Sequence, residues 1–213
     1  PELALRLGEA AGALLSSDHH GRIVVGCDTR LSGRMLEAAL VAGICSSGSD
    51  ALLAGIVPTP AVALLVRELG ADAGIVVSAS HNPALYNGIK FFSREGFKLP
   101  DEIEAAIEEH VAADLRSERP VGADVGTTIG IGDAVERYVA HAISTVPDRL
   151  DGLRIALDCG HGAASRTTER ALRELGADVV AINCDWNGTD INEGCGSTDL
   201  RPLAALVRET GVD

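Results

Sequence analysis

Alternation between helical and strand periods restricts this chain more than any other feature. "RIVVGC" at Arg22–Cys27, "ALLAGI" from Ala51 and "AGIVVS" from Ala73 are short apolar runs with no polar face. Strands buried on both sides look this way, because parallel pairing needs crossover helices that cover the sheet. Helical spacing fills the intervals. Leu3, Leu7, Ala11, Leu14 and Leu15 share one face of a first helix, and Leu36, Leu40 and Ile44 share a face of a second. Pro60 sits at the first turn of a third helix that runs to Gly70, where its missing N–H is harmless.

"GIKFFS" from Gly88 reads as a fourth strand and "REG" at Arg94–Gly96 as a turn. A charged helix follows from Asp101, with Ile103, Ile107 and Val111 inward and Glu104, Glu108 and Glu109 on a solvated face. Residues 115–130 lack periodicity and read as a surface connection; a helix with Val135, Val139 and Ile143 closes this half. The pattern restarts after "STVPDRLDG" with the strand "LRIALDCG", so a boundary is expected near Pro147, dividing the chain into 1–147 and 148–213. The expected class is α/β, with mixed, largely parallel sheets flanked by helices.

The string "RELGAD" at Arg67–Asp72 returns at Arg173–Asp178, and "RETGVD" at Arg208–Asp213 is a looser third copy. Each combines a helix end, a glycine suited to a left-handed cap and an acidic residue. Shared ancestry and ordinary α/β punctuation explain the echo equally well. An apolar strand begins at once after the first two copies, and the chain stops after the third. On that pattern the second unit is expected to be incomplete, and a chain that begins at Pro1 reads as a piece of something longer.

Composition narrows function by exclusion. The formal charge is −13 with no basic stripe, which argues against a nucleic-acid partner. Phosphorylated metabolites remain open, provided cations or a metal are concentrated locally. No apolar run approaches the ~20 residues of a membrane span, and no signal peptide is recognisable at the start. The five cysteines, Cys27, Cys45, Cys159, Cys184 and Cys195, are odd in number and contain no C-x-x-C pair. Reduced thiols and a cytoplasmic location are therefore expected.

One loop carries chemistry. "VVSASHNPALYNGIK", Val76–Lys90, leaves the carboxyl end of a strand, the edge where α/β proteins bind ligands. Serine alone is a poor nucleophile, and no G-x-S-x-G elbow is present to support a hydrolase triad. Asn82-Pro83 favours a turn that would expose Ser80 and His81, while Lys90 returns on the next strand. From residue chemistry the stretch is either a functional loop or a turn whose serine caps backbone groups.

"SASHNP" followed by "NGIKFF" resembles the active-site serine loop of the α-D-phosphohexomutase superfamily, which interconverts 1- and 6-phosphosugars. "PELALRLGEAAG" is similar to the family's first helix, "GCDTRLSG" to its usual G-R-D-T-R-x-S-G, and "GIVPTPAV" to its next loop. "LDCGHGAAS" and "INEGCGSTDL" look most like the phosphoglucosamine mutase branch, so the resemblance spans nearly the whole chain.

The resemblance implies that Ser80, not Ser78, is the phosphoserine, and that its phosphate helps coordinate Mg²⁺. It further implies transfer of the phosphoryl group to a phosphorylated hexose or hexosamine, reorientation of the bisphosphate and return of the other phosphoryl group. Such chemistry is mostly positioning and charge neutralisation. His81 is the expected phosphate or sugar-oxygen contact, and Lys90 a cation and proton carrier. Arg30 is a candidate for the same pocket as a substrate-binding residue, or else pairs with Asp28 to fix its own loop.

Two residues depart from the pattern. Cys27 stands where the family usually has Arg, and Tyr86 where the glucosamine branch has Asp; Tyr-Asn-Gly is more at home in the mannose/glucose branch. The family's F-G-T-D-G-I-R-G segment, its D-G-D-x-D-R metal loop and its third and fourth domains have no counterpart in the sequence. The chain alone is therefore expected not to turn over.

"DCGHGAAS" at Asp158 matches no phosphate-loop pattern, so tight packing is preferred over binding. His161 beside Cys159 is too isolated for zinc, and the pair His19-His20 reads as solvated. Trp186, in the long loop "NCDWNGTDINEGCG", is either a loop anchor or a sugar platform.

Overall fold

The structure, a computed structural model, describes residues 1–16, 20–113 and 119–212. His19, the first part of the 115–130 connection and Asp213 lie outside the described residues. The apolar runs form the strands their composition predicts. β1 (Arg22–Cys27), β2 (Asp50–Ile56), β3 (Ala73–Val77), β4 (Ile89–Ser93) and β5 (Thr128–Gly130) make one sheet in the order β4-β3-β1-β2-β5. β1 pairs in parallel with both β2 and β3, β2 in parallel with β5, and only β4 is antiparallel, against β3. The fold is thus mixed α/β with a largely parallel sheet.

Helices cover both faces. Ile23, Val25 and Cys27 of β1 point with Ile75 and Val77 toward α1 (Glu2–Leu15) and α2 (Leu31–Ser46). Val24, Leu52 and Val76 point the other way, against Val62, Leu65 and Val66 of α3 (Thr59–Leu69) and Ala134 of α5 (Ala134–Ser144). Each such Val, Ile or Leu contributes about 1.5–3 kcal/mol on burial. Pro60 stands in the first turn of α3, and Gly70 caps it in the left-handed region with φ 59°.

α1 departs from the expected leucine stripe. Leu3 is 59% and Leu14 42% exposed, while Ala4, Gly8 and Ala11 are buried. The reason is backbone proximity. A Cβ on Gly8 would stand 2.2 Å from the Leu40 carbonyl oxygen, and one on Gly43 would stand 2.1 Å from that of Leu5. Helices this close admit only small residues between them, so the leucines are displaced to the flanks. Leu7 and Leu15 pack both against the sheet-side core and toward Ile107 of α4 (Asp101–Ala112).

Two smaller differences follow the same logic. Ile103, expected inward, is exposed, because only Ile107 of α4 is fully covered. The stretch read as connection contains β5, whose three residues are all exposed. An edge strand held by backbone pairing alone carries no side-chain alternation to read.

The second sheet is smaller. β6 (Arg154–Asp158) pairs in parallel with β7 (Asp178–Ile182), accompanied by α6 (Thr168–Glu174) and α7 (Arg201–Thr210). Its loops reach back to the first sheet. Thr29 Oγ1 donates to the His161 carbonyl at 2.6 Å, and the Leu31 N–H donates to the Gly188 carbonyl at 2.8 Å. Both contacts lie beside the β3–β4 connection. No described helix is long and apolar enough to cross a membrane.

Candidate functional site

The β3–β4 connection, residues 78–88, leaves the carboxyl edge of the parallel strands. Its two serines have different environments. Ser78 is buried, its N–H donates to the Gly88 carbonyl at 2.8 Å, and its Oγ accepts the Ser80 N–H at 3.0 Å. Ser80 is exposed, with φ 57° in the left-handed region. A non-glycine residue there is uncommon and persists only where its surroundings impose it. Ser78 therefore holds the turn while Ser80 is presented to solvent.

What imposes that conformation is Arg30. Its side chain is fully buried, and all five of its N–H donors have partners. Nε donates to Asp28 Oδ2 at 3.0 Å. Nη1 donates to the carbonyls of Pro83 and Tyr86 at 2.6 and 2.9 Å, and Nη2 to those of Ser80 and Asn82 at 3.0 and 2.8 Å. Asp28 is tied in turn through Oδ1 to the Arg30 N–H at 3.1 Å, and its own N–H donates to the Val77 carbonyl at 3.1 Å. In this arrangement no donor of Arg30 is left for a ligand. Of its two readings, the geometry displays the pairing with Asp28, extended to a grip on four loop carbonyls.

His81 and Lys90 are both exposed. Among the described residues neither side chain has a hydrogen bond or ion pair. Lys90 lies on β4 opposite Val76, on the returning strand of the Ser80 hairpin. No direct bond joins Lys90 to Ser80. Tyr86, at the branch-specific position, is 55% exposed. Cys27, in place of the family's Arg, is buried beside Glu37, whose Oε1 is buried without a hydrogen-bond partner. Burial, reinforced by the negative charge of Glu37, pushes the Cys27 thiol up to about 12.

The second sheet supplies a contact that sequence reasoning missed. Asn192 Nδ2 donates to the Ser80 and Asn82 carbonyls at 3.0 and 3.1 Å. Its loop is organised by Asp158. Oδ1 of that carboxylate accepts from the Gly160 N–H at 2.9 Å and Asn183 Nδ2 at 3.0 Å, and Oδ2 accepts from the Gly196 N–H at 2.9 Å. The available signal was the length of the loop and its asparagine between two glycine-bearing turns. Nothing in it named the partner.

The remaining candidates fall into place. His161 Nδ1 meets the Asp185 carbonyl, and among the described residues no three His, Cys, Asp or Glu side chains are grouped to hold a metal. Trp186 carries the Arg166 guanidinium 5.7 Å from its ring centroid, a cation–π contact that anchors it in the loop. Leu31, Met35, Leu85 and Ile191 line a cleft of about 800 Å³ between the two sheets' loops. That lining has no Lys, Arg or His to meet a phosphate.

Comparison with known proteins bears on the same loop. Residues 1–118 match the family model "Phosphoglucomutase/phosphomannomutase, alpha/beta/alpha domain I". The chain is 53% identical over 213 residues to the phosphoglucosamine mutase of Moorella thermoacetica, covering 99% of this chain and 48% of that protein. It is 49% identical to the phosphoglucosamine mutase of Clostridium tetani, covering 100% of this chain and 48% of the relative. It therefore spans about half the length of the curated relatives it matches. Among solved structures, a phosphoglucomutase/phosphomannomutase family protein from Burkholderia thailandensis superposes with TM-score 0.80 at 26% identity, over 99% of this chain and 46% of that one. Parafusin from Paramecium, at TM-score 0.72 and 19% identity over 96% of this chain and 43% of that one, shares the fold.

Proposed function

The chain belongs to the phosphoglucomutase/phosphomannomutase family, and we propose that it is the serine-bearing part of a phosphosugar mutase acting on glucosamine phosphate. The observation that carries this reading is the presentation of Ser80, exposed at φ 57° on a loop gripped from below by a buried guanidinium. The names of the relatives at about 50% identity favour the glucosamine branch.

In this reading phospho-Ser80 gives its phosphoryl group to a hydroxyl of glucosamine 6-phosphate. The P–Oγ bond breaks as a P–O bond forms to the oxygen of the C1 hydroxyl, and the proton that hydroxyl loses ends on Ser80 Oγ. The bisphosphate turns over and returns its C6 phosphoryl group to Ser80 Oγ, releasing glucosamine 1-phosphate. His81 contacts the phosphate or a sugar oxygen. Lys90 neutralises phosphate charge and carries the proton. Arg30 holds the loop so that Oγ is in line, which is where most phosphoryl-transfer catalysis lies.

Mg²⁺, when bound, would neutralise charge on the transferring group. The described residues offer it only the oxygens of a phosphorylated Ser80, with no carboxylate cluster. Its other ligands are assigned to a segment outside this chain, and the chain alone is expected to be inactive. We place the division between the two α/β units at 147/148 and the protein in the cytoplasm.

The test is turnover by the complete gene product on glucosamine, mannose and glucose 6-phosphates, with mass spectrometry of the Ser80 peptide. Glucosamine turnover abolished by Ser80→Ala supports the proposal. Mannose or glucose activity far above it moves the protein to the branch that Tyr86 resembles. An inactive product with Ser80 never phosphorylated makes the chain a non-catalytic α/β binding module.

A further inference from the structure

We propose that Asn192 is a positioning residue for Ser80, the one through which the second sheet holds the nucleophile loop in its left-handed conformation. Its catalytic consequence rests on the reading of Ser80 above; the structural coupling does not. The Ser80 and Asn82 carbonyls each accept two hydrogen bonds. One comes from Arg30 Nη2 in the first unit, at 3.0 and 2.8 Å, and one from Asn192 Nδ2 in the second, at 3.0 and 3.1 Å. A carbonyl oxygen has two lone pairs and a carboxamide nitrogen two hydrogens, so the arrangement is saturated from both sides. Arg30 grips the loop from inside, and Asn192 closes it from outside.

The second unit is built to aim that amide. Asn192 has φ 59°, and its N–H donates to the Gly160 carbonyl at 3.0 Å. Its Oδ1 lies against Gly160 and Gly196, 3.4 and 3.5 Å from where a Cβ on either would stand. Asp158, at the end of β6, accepts from the N–H of both glycines. A path of hydrogen bonds thus runs from a strand end of the second sheet, through Asn192, to the carbonyl of Ser80 itself. Tilting that peptide would swing the Ser80 Oγ, so seating of the second unit and orientation of the hydroxyl are coupled.

The simpler explanation is that asparagine occurs at 192 because it tolerates the left-handed region. Two variants separate the explanations. Asn192→Gly keeps the backbone conformation and removes the amide, and Asn192→Asp keeps the shape but turns a carboxylate toward two carbonyls. Amide hydrogen exchange on this chain is read at Ser80, Asn82 and Tyr86, whose N–H groups close the loop's internal turns, with β6 and β7 as the internal reference. Loss of two bonds to the loop is expected to speed exchange there by about tenfold or more in Asn192→Gly, further in Asn192→Asp, with β6 and β7 unchanged.

Wild-type exchange in the loop of either variant overturns the proposal. So does an equal rise in β6 and β7, which would make Asn192 a folding residue of its own unit. In the complete gene product, Asn192→Gly should lower kcat about tenfold with KM nearly constant, because a misaligned nucleophile is a loss felt in the transition state. A parallel Ser80→Ala variant keeps the two readings apart. If it retains turnover, the role of Ser80 fails, and the exchange data still decide the role of Asn192.

Discussion

Arg22 opens β1 as "RIVVGC" and Arg154 opens β6 as "RIALDC", two similar strings with similar local duties. Arg22 Nη2 donates to the Leu69 and Gly70 carbonyls at the end of α3, at 2.9 and 3.2 Å, and its N–H donates to Asp72. Arg154 Nη1 donates to the Thr210 carbonyl at the end of α7 at 3.1 Å, and its Nε to Asp178. Burial is where they part. Ile23, Val24 and Val25 are 0% exposed, whereas Ile155, Ala156 and Leu157 are only half-buried. β1 lies between β2 and β3, while β6 pairs with β7 alone among the described residues. How deeply a strand is buried is therefore a property of its neighbours, not of its own letters.

The contrast can be broken by substitution. Arg30→Met would leave Asp28 buried without its cation, a loss of about 3–5 kcal/mol. Urea unfolding checks it, and a loss below about 1 kcal/mol would mean the loop grip is dispensable. Ile75→Ala, in the covered sheet, should cost about 2–5 kcal/mol. Leu157→Ala, in the half-covered one, should cost about half as much, since less area leaves water on folding. Equal losses would show that the two sheets share one level of packing.

Thiols sharpen the comparison, because Cys27 is the last residue of β1 and Cys159 directly follows β6. Burial, first among the causes, pushes both up to about 12. A thiol raised in the folded state stabilises fully below its unfolded pKa near 9, and that contribution is lost as pH climbs from there to about 12. Each thiol should steepen the alkaline decline by about 1.4 kcal/mol per pH unit. Stability curves of Cys27→Ala and Cys159→Ala between pH 8 and 11 measure the two separately; curves parallel to wild type would refute it. The smallest effect is expected at the seam. Thr29→Val removes the 2.6 Å bond to the His161 carbonyl, for about 0.5–1.5 kcal/mol.

Much of the fold was legible because it is written in local periods. The apolar runs, the proline opening α3 and the glycine closing it all act within a few residues. The α1 face was legible in part: Leu7, Ala11 and Leu15 do pack on the core, whereas Leu3 and Leu14 are exposed where the glycines let α2 approach. β5 was missed because a three-residue edge strand is recognised by its partner and not by its side chains.

The same division holds at the site. The sequence by itself determined that a serine loop with a returning lysine leaves a strand's carboxyl edge, since chain order fixes both. Only the tertiary structure decided that Ser80 is presented while Ser78 is buried, that Arg30 grips the loop, and that Asn192 meets the carbonyls of Ser80 and Asn82. Those hydrogen bonds join residues 50 to 112 positions apart. Backbone carbonyls carry no residue identity, so a sequence gives no sign of which side chain will find them until packing brings the two together.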